Sequence, residues 1–535
     1  MSERFLVVGG GTMGAGIACV AARGGYDVDV VEPLATARER AAALMRREAE
    51  RSGGASDLER IRWLDAIPET SDAAVAVEAV PERYDLKRDV FIALARALAP
   101  EALLATNTSS LSVAELADVV THPQRVLGLH FFNPATRMAL LEVVAAPETA
   151  DEVLTRAYEL AERCGKTPVL AADTPGFIVN RVARPFYLQA LRALEAGVAS
   201  AEELDALARG AGFRMGPFEL MDLIGLDVNL AVTESIYERT GARRFAPVEL
   251  QRRMVGQGLL GRKSGEGFYV YRDGNPERYD AAPESVPDDA DAQEIVAILG
   301  FGARADELAQ RLAEPYANLQ RIENDELLDE LKPETTVVFD AGDGVSDRGE
   351  ILAELDSLLG AESVFFVDAY ATDLAACVRR MRHPERLVGY GLLGSLEAQS
   401  VVEICDSESV SDDALALAQE LFAKLGKGAV LVEDLPGLFL GRTVGSIVNE
   451  AIVAIAENVA SSDDIDTAMR LGANYPIGPI EWGREIGGGR VKRILKRLAD
   501  TEGEAFAPHR SLWMLDLAEE HEEAEEEPEA REAPR

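Results

Sequence analysis

The chain is poor in several residue types that would otherwise define it. Among 535 residues there are 4 cysteines, Cys19, Cys164, Cys377 and Cys405, with no C-x-x-C spacing. That scatter excludes a disulfide framework, which a chain this long does not need, and buried free thiols are expected. No run approaches the roughly 20 uninterrupted apolar residues that cross a bilayer. The opening "MSERFLVVGG" also carries no long apolar stretch ahead of its glycine turn, so a soluble, cytoplasmic protein without membrane contact is expected. Lysine is scarce beside arginine, and 54 Lys and Arg face 93 Asp and Glu, for a formal charge of −39. That balance argues against nucleic acid as a partner. The acid is spread along the whole chain, and such self-repulsion is tolerated most easily in concentrated salt, where the screening length falls to about 3 Å. A salt-loving host is therefore expected. The last stretch, "EEHEEAEEEPEAREAPR", has almost no apolar content and is expected to stay disordered.

What is present begins with "RFLVVGGGTMGAGIACVAARGGYDVDVVE", which reads as strand, glycine turn, helix, strand. Gly9, Gly11 and Gly14 form G-x-G-x-x-G, with Thr12 and Met13 between the last two. In this motif the first glycine makes the tight turn, the second admits a pyrophosphate to the backbone, and the third lets helix and strand pack. The helix N-terminus then faces the phosphates. Glu32 ends the second strand, 32 − 9 = 23 residues on, where a carboxylate binds ribose hydroxyls and repels a 2′-phosphate, favouring NAD over NADP. "AAVAVEAV" and "ALLATN" read as parallel strands whose ends point at a cofactor, and Glu82, Lys87, Asn107 and Ser109 lie just beyond them. In "NTSSLSVAEL", Ser112 and Glu115 read as a capping box, which leaves Ser109 in the loop before a helix.

"RVLGLHFFNPATRMALLEVV" carries the chemistry. His130 ends an apolar strand, and Glu142 sits inside another, where a carboxylate without a partner would be costly. Paired, each removes the other's difficulty: the carboxylate fixes the ring tautomer and the free nitrogen can take a proton from an alcohol. Hydride transfer to nicotinamide needs that proton acceptor. After "TPVLAADTPGFIVNR" the pattern changes from strands to helices, with Thr174 predicted as N-cap, Pro175 at the first helical position and Asn180 on the helix.

Together "GGGTMGAGIA", "NTSSLS", "HFFNP", "LLEVV", "DTPGFIVNR", "MGPFELMDLIGLD" and "GRKSGEGFYVY" resemble the L-3-hydroxyacyl-CoA dehydrogenase family, including its 3-hydroxybutyryl-CoA dehydrogenases, over residues 1 to about 272. The resemblance implies NAD-dependent, reversible oxidation of (S)-3-hydroxyacyl-CoA to 3-ketoacyl-CoA, as in fatty-acid β-oxidation or 3-hydroxybutyryl-CoA metabolism. It makes His130 the catalytic acid/base and Glu142 its orienting partner. Ser109 and Asn180 would hydrogen-bond the substrate's 3-oxygen and thioester region. Glu32, Glu82, Lys87, Asn133 and Lys263 match cofactor-contacting positions. The family commonly has Asp where this chain has Glu32. No metal is implied. No segment resembles a fused hydratase, so a separate enoyl-CoA hydratase and thiolase are expected partners. Two other readings stay open: another β-hydroxyacid dehydrogenase, which would rely on a lysine base, and a non-catalytic nucleotide- or acyl-CoA-binding protein.

The second half repeats the first. "DLPGLFLGR" at 434 follows "DTPGFIVNR" at 173 with an offset of 434 − 173 = 261, and the same offset pairs "HPERLVG" with "HPQRVLG" and "VVEI" with "LLEV". "IGPIE" at 477 follows "MGPFE" at 215 with one extra residue. Under that offset Ser109 meets Tyr370, His130 meets Gly391 and Asn180 meets Gly441, while Glu142 meets Glu403. The acid/base apparatus is missing. "EIVAILGFGARADELAQRLAE" keeps Gly300 and Gly302 but has Ala305 as its third member. About 70 residues separate that turn from Asp368, which matches Asn107, against roughly 100 in the first half.

The fold expected is α/β plus all-α. A Rossmann-type NAD-binding domain (1–172) precedes a helical substrate or dimerisation-type domain (173–272). A linker (273–293), a reduced Rossmann-like domain (294–433), a second helical domain (434–516) and the acidic tail (517–535) complete it. The duplicate is expected to supply internally the partner that single-copy relatives find by dimerising, giving a pseudo-dimeric monomer or a homodimer of such chains.

Overall fold

In the computed structural model, which describes residues 3–52, 55–272, 294–323, 325–341 and 348–516, the first glycine turn opens a doubly wound sheet. Its strands are β1 (Arg4–Val8), β2 (Asp27–Val31), β3 (Ile61–Leu64), β4 (Ala73–Glu78), β5 (Leu103–Thr106), β6 (Val126–Phe131), β7 (Leu140–Ala145) and β8 (Thr167–Ala172), ordered β3-β2-β1-β4-β5-β6-β7-β8. The central strands are nearly continuous Val, Leu and Ala because helices cover both faces, leaving no solvated side to favour alternation. The pairing is parallel except between β6 and β7, whose antiparallel register sets His130 opposite Glu142. Strand order reverses between β1 and β4, and the crevice at such a switch point is where doubly wound sheets take ligands.

The second half builds a shorter version: β9 (Ile295–Leu299), β10 (Asn318–Ile322), β11 (Val337–Asp340), β12 (Val364–Asp368), β13 (Leu387–Gly391), β14 (Val401–Asp406) and β15 (Gly428–Glu433), ordered β10-β9-β11-β12-β13-β14-β15. Among the described residues no strand pairs with the outer edge of β10, where the first sheet has β3. The shorter spacing from glycine turn to Asp368 is thus a lost edge strand and its preceding helix.

The chain forms two compact units that do not follow the repeat boundary. One comprises Met1–Ala183, Ser235–Gly241 and Ala454–Gly478; the other comprises Arg184–Glu234, Ala242–Val453 and Pro479–Arg535. In the first, the helix Ser462–Gly472 of the second repeat packs on β7 and β8. Ala172 there donates its backbone N–H to Val459 O at 2.8 Å, and Arg181 ion-pairs with Glu457 at 2.7 Å. The other unit contains the mirrored exchange: helix Ala201–Gly210 of the first repeat packs on β14, and Glu433 N donates to Val198 O at 3.0 Å. Each sheet is therefore finished by a helix written in the opposite half of the chain.

The helix Leu438–Ala456 is apolar and long enough to cross a membrane by length and composition, but 89% of its apolar window is buried, so it is a core helix. All four cysteines are buried, and none is in a disulfide. The segments at 273–293 and 517–535 lie outside the described residues.

Two local predictions are corrected. Thr174 is not an N-cap: Gly176 (φ 84°) and Phe177 (φ 48°) adopt left-handed backbone that a helix cannot contain, so the helix begins at Val179 and spans Val179–Val182. The second repeat keeps this turn at Gly437 (φ 74°) and Leu438 (φ 44°). Ser112 does accept from Glu115 N at 3.3 Å, but the reciprocal half of the capping box is replaced, because the Ser112 hydroxyl donates to Asp173 Oδ2 at 2.7 Å. Asp173 Oδ2 also accepts from Ala114 N at 2.8 Å, so a carboxylate from the end of β8 satisfies a first-turn amide of that helix.

Candidate active site

The glycine turn has the geometry a dinucleotide needs. A Cβ on Gly9 would lie 2.6 Å from Ala79 O and one on Gly14 would lie 1.8 Å from Gly9 O, while nothing stands within 4 Å of that position on Gly11. The outer glycines are thus fixed by packing, and the middle one leaves open space before the helix Thr12–Arg23, whose N-terminus presents unpaired N–H groups to an anion. Glu32 follows β2, with Oε2 accepting from Gly10 N at 3.0 Å and Oε1 accepting from Leu34 N at 3.1 Å. These contacts fit NAD: Gly11, Thr12 and Met13 would hold the pyrophosphate and Glu32 the ribose.

Beyond β4 and β5 lies a buried ionic network only partly visible in sequence. Lys87 is 1% exposed and donates to Glu78 Oε1 at 2.9 Å, pairs with Glu82 Oε2 at 3.1 Å and reaches Val80 O at 3.3 Å. Burial pushes the Glu78 carboxyl up, against the pull of Lys87. For Glu82, burial also works upward but Lys87 and the Thr108 and Ser110 hydroxyls outweigh it, holding the carboxyl below its usual range. Glu82 Oε1 accepts from Ser109 N and Ser110 N, both at 3.1 Å. Lys87 is thereby a support, and Glu82 the clamp that shapes the loop carrying Ser109. Glu78 and Thr106, whose hydroxyl donates to Glu78 at 2.8 Å, are the members sequence reasoning missed. Their signal was a lone carboxylate closing the apolar strand "AAVAVE".

His130 Nδ1 stands 2.6 Å from Glu142 Oε2, with His130 6% and Glu142 0% exposed. An ionised carboxylate can only accept, so in the neutral ring the proton sits on Nδ1 and Nε2 keeps its lone pair. The other oxygen, Glu142 Oε1, accepts from Ile178 N at 3.1 Å and Val179 N at 2.9 Å. These are the first amides of the helix bearing Asn180, and their partial positive charge suits an anion. The left-handed turn at Phe177 aims them there, and the Phe177 and Phe132 rings flank the imidazole at 5.7 and 4.5 Å. One carboxylate thus ties β6, β7 and the Asn180 helix together. Asn107 Oδ1 accepts from Phe131 N at 2.9 Å, joining the Ser109 loop to the strand that carries His130. Ser109 and Asn180 are half-buried and Asn133 is exposed. Lys263 belongs to the other unit, where it is exposed and ion-paired with Asp227.

The second repeat preserves this frame without counterparts of His130, Ser109 and Asn180. Glu403 lies opposite Gly391 and accepts from Phe439 N at 2.7 Å and Leu440 N at 3.0 Å, as Glu142 accepts from Ile178 and Val179. Its remaining partner is the Tyr370 hydroxyl. A Cβ on Gly391 would lie 2.3 Å from the Tyr370 ring and one on Gly441 would lie 2.6 Å from it. The phenol has therefore filled the volume of both missing side chains and satisfied the orphaned carboxylate, so Gly441 is required by packing. Because a neutral phenol replaces imidazole, burial pushes the Glu403 carboxyl up to about 7. Beyond β12, Asp368 is gripped by Arg490 at 2.8 and 3.0 Å and by Arg304 at 2.8 Å. Burial would raise its carboxyl, but the two guanidinium groups hold it well below the usual range.

A doubly wound glycine-turn domain with a histidine–carboxylate pair at its strand ends defines an NAD-linked dehydrogenase. The model of the 3-hydroxyacyl-CoA dehydrogenase NAD-binding domain matches residues 4–174 and 254–435, and that of the C-terminal domain matches 176–271 and 437–529. A protein named 3-hydroxyadipyl-CoA dehydrogenase from Escherichia coli strain K12 is 37% identical over 513 residues, covering 94% of both chains. A probable 3-hydroxybutyryl-CoA dehydrogenase from Deinococcus radiodurans is 38% identical over 277 residues, all of that protein and 50% of this chain. The crystal structure of a 3-hydroxybutyryl-CoA dehydrogenase from Escherichia coli K12 superposes with a TM-score of 0.78 at 35% identity, covering 98% of this chain and 100% of that one. The chain belongs to the 3-hydroxyacyl-CoA dehydrogenase family, in a tandem form whose relatives include full-length and half-length proteins. It is an NAD-dependent enzyme of 3-hydroxyacyl-CoA.

Proposed function

We propose that the first repeat alone carries turnover, with His130 Nε2 removing the 3-hydroxyl proton of an (S)-3-hydroxyacyl-CoA and returning it in the reverse reaction. NAD supplies the hydride acceptor. Glu142 holds the ring in the tautomer that can accept, and stabilises the imidazolium that forms. Ser109 and Asn180, placed on the clamped loop and on the helix tied to Glu142, bind the substrate's oxygens. The observation that carries this reading is the 2.6 Å contact between His130 and a fully buried carboxylate already anchored by two backbone amides. It is present in one repeat and replaced by Tyr370–Glu403 in the other.

Short or dicarboxylic acyl groups are the favoured substrates, because the relative sharing 94% of both lengths is named for 3-hydroxyadipyl-CoA. The exchange of helices between repeats supports a single chain acting as its own dimer. The charge of −39 supports a salt-loving host, and the proposal extends to a cytoplasmic enzyme working beside a separate enoyl-CoA hydratase and thiolase. The test follows NADH oxidation with acetoacetyl-CoA and with 3-ketoadipyl-CoA, in wild type and His130→Ala, at low and multimolar potassium chloride. Turnover that rises with salt and falls by roughly a hundredfold or more in the variant is expected. Undiminished folding and activity at low ionic strength would remove the salt reading, and an active His130→Ala would remove the assignment.

A further inference from the structure

A cavity of about 20 Å³ lies among helices of the second unit, lined by Gln189, Arg192, Arg244, Ser446, Glu450 and Phe506 among others. It touches none of the residues assigned to turnover. Its wall is cationic in a protein with an excess of acid. Arg442, directly behind Gln189, is 1% exposed; its Nε donates to Gln189 Oε1 at 2.9 Å and its Nη2 pairs with Glu502 at 2.5 Å. Its Nη1 is buried with no hydrogen-bond partner among the described residues. Arg181, its counterpart in the first repeat, is paired with Glu457. Glu450 is engaged by Arg244 Nε at 2.6 Å, and the Arg192 guanidinium lies 5.0 Å from the Phe506 ring. In the lining itself two guanidinium groups, Arg192 and Arg244, meet one carboxylate, Glu450, while Arg442 and its partner Glu502 lie outside it. Burial, reinforced by the like charge of Arg442, pushes Arg192 down to about 10. Ser446 accepts from Gln189 Nε2 at 3.1 Å, which leaves its own proton to donate.

A lining with two guanidinium groups and one carboxylate, backed by a third guanidinium behind Gln189, favours an anion. The small volume, about 20 Å³, favours a monatomic anion over a nucleotide. We propose that this cavity binds a single chloride ion, which neutralises the arginine cluster and locks the helices Arg184–Glu195 and Leu438–Ala456 together.

The test is thermal unfolding of the full chain in potassium chloride against potassium gluconate at constant ionic strength, so that general screening is equal in both. Chloride is expected to raise the midpoint saturably by about 3 °C or more over gluconate. Arg192→Gln, which removes a cation, and Ala505→Leu, which fills the cavity from its rim without changing charge, should both abolish the difference while leaving turnover intact. Bromide should replace chloride and be located at the cavity by its anomalous scattering. Equal midpoints in the two salts, or a chloride increment unchanged in Ala505→Leu, would overturn the proposal. If Arg192→Gln fails to fold, Ala505→Leu decides alone.

Discussion

Replacing Glu142 by Gln isolates the electrostatic role of the carboxylate from its structural one. The charge centres of a carboxylate and an imidazolium in contact at 2.6 Å are about 4 Å apart, an attraction on the order of 4 kcal/mol at an effective dielectric of about 20. Each ~1.4 kcal/mol is tenfold in rate, so kcat should fall about 10³-fold. The amide also presents a donor toward Nδ1, favouring the tautomer in which Nε2 is already protonated and cannot accept the substrate's proton. The fold should survive, because the Gln carbonyl can still accept from the amides of Ile178 and Val179. Glu142→Ala differs: both buried amides lose their acceptor, at about 1–3 kcal/mol each. Steady-state rates with acetoacetyl-CoA and NADH, beside thermal midpoints, separate the two variants. A Glu142→Gln enzyme retaining kcat within tenfold, or one that loses as much stability as Glu142→Ala, would refute the orienting role.

Gly441→Asn should destabilise the chain by about 1–3 kcal/mol through overpacking against Tyr370. Part of that loss should vanish in a Tyr370→Ala background, with turnover unchanged throughout; additive effects in a denaturant double-mutant cycle would contradict the shared-volume argument. Glu403, whose carboxyl rises from 4.5 to about 7 in the folded chain, binds a proton more tightly folded than unfolded. Its contribution is therefore full below about pH 4.5 and is lost as pH rises through 7. Glu403→Gln should flatten that decline in unfolding free energy without altering kcat, and an unchanged slope would reassign it. Lys166 donates to the carbonyls of Ala135 and Met138, and burial pushes its ammonium from 10.5 down to about 8. The folded chain releases this proton first, so stability should rise between pH 8 and 10.5. Lys166→Met should abolish that rise.

Local features with fixed spacing were legible from the residues alone. The glycine turn, the carboxylate 23 residues after it, the strand-ending His130 and the apolar setting of Glu142 are short-range patterns. The offset of 261 shows that Tyr370, Gly391 and Gly441 stand where the first repeat has Ser109, His130 and Asn180. Thr174 was misjudged because a proline in the first turn is a propensity, whereas the left-handed Gly176–Phe177 pair is imposed by the need to point two amides at Glu142. One sequence does not reveal that Glu78, nine residues before Lys87, lies beneath it.

The sequence by itself determined the nucleotide fold, the His130–Glu142 pairing and the absence from the second half of counterparts to His130, Ser109 and Asn180, since each depends on residue identity at fixed intervals. Only the tertiary structure decided why Gly441 is glycine and which helix finishes which sheet. Tyr370 reaches Gly441 across 71 positions of chain, and helix Ser462–Gly472 covers β8 from nearly 300 residues away. Packing acts between surfaces close in space, and no periodicity in the chain records which surfaces will meet.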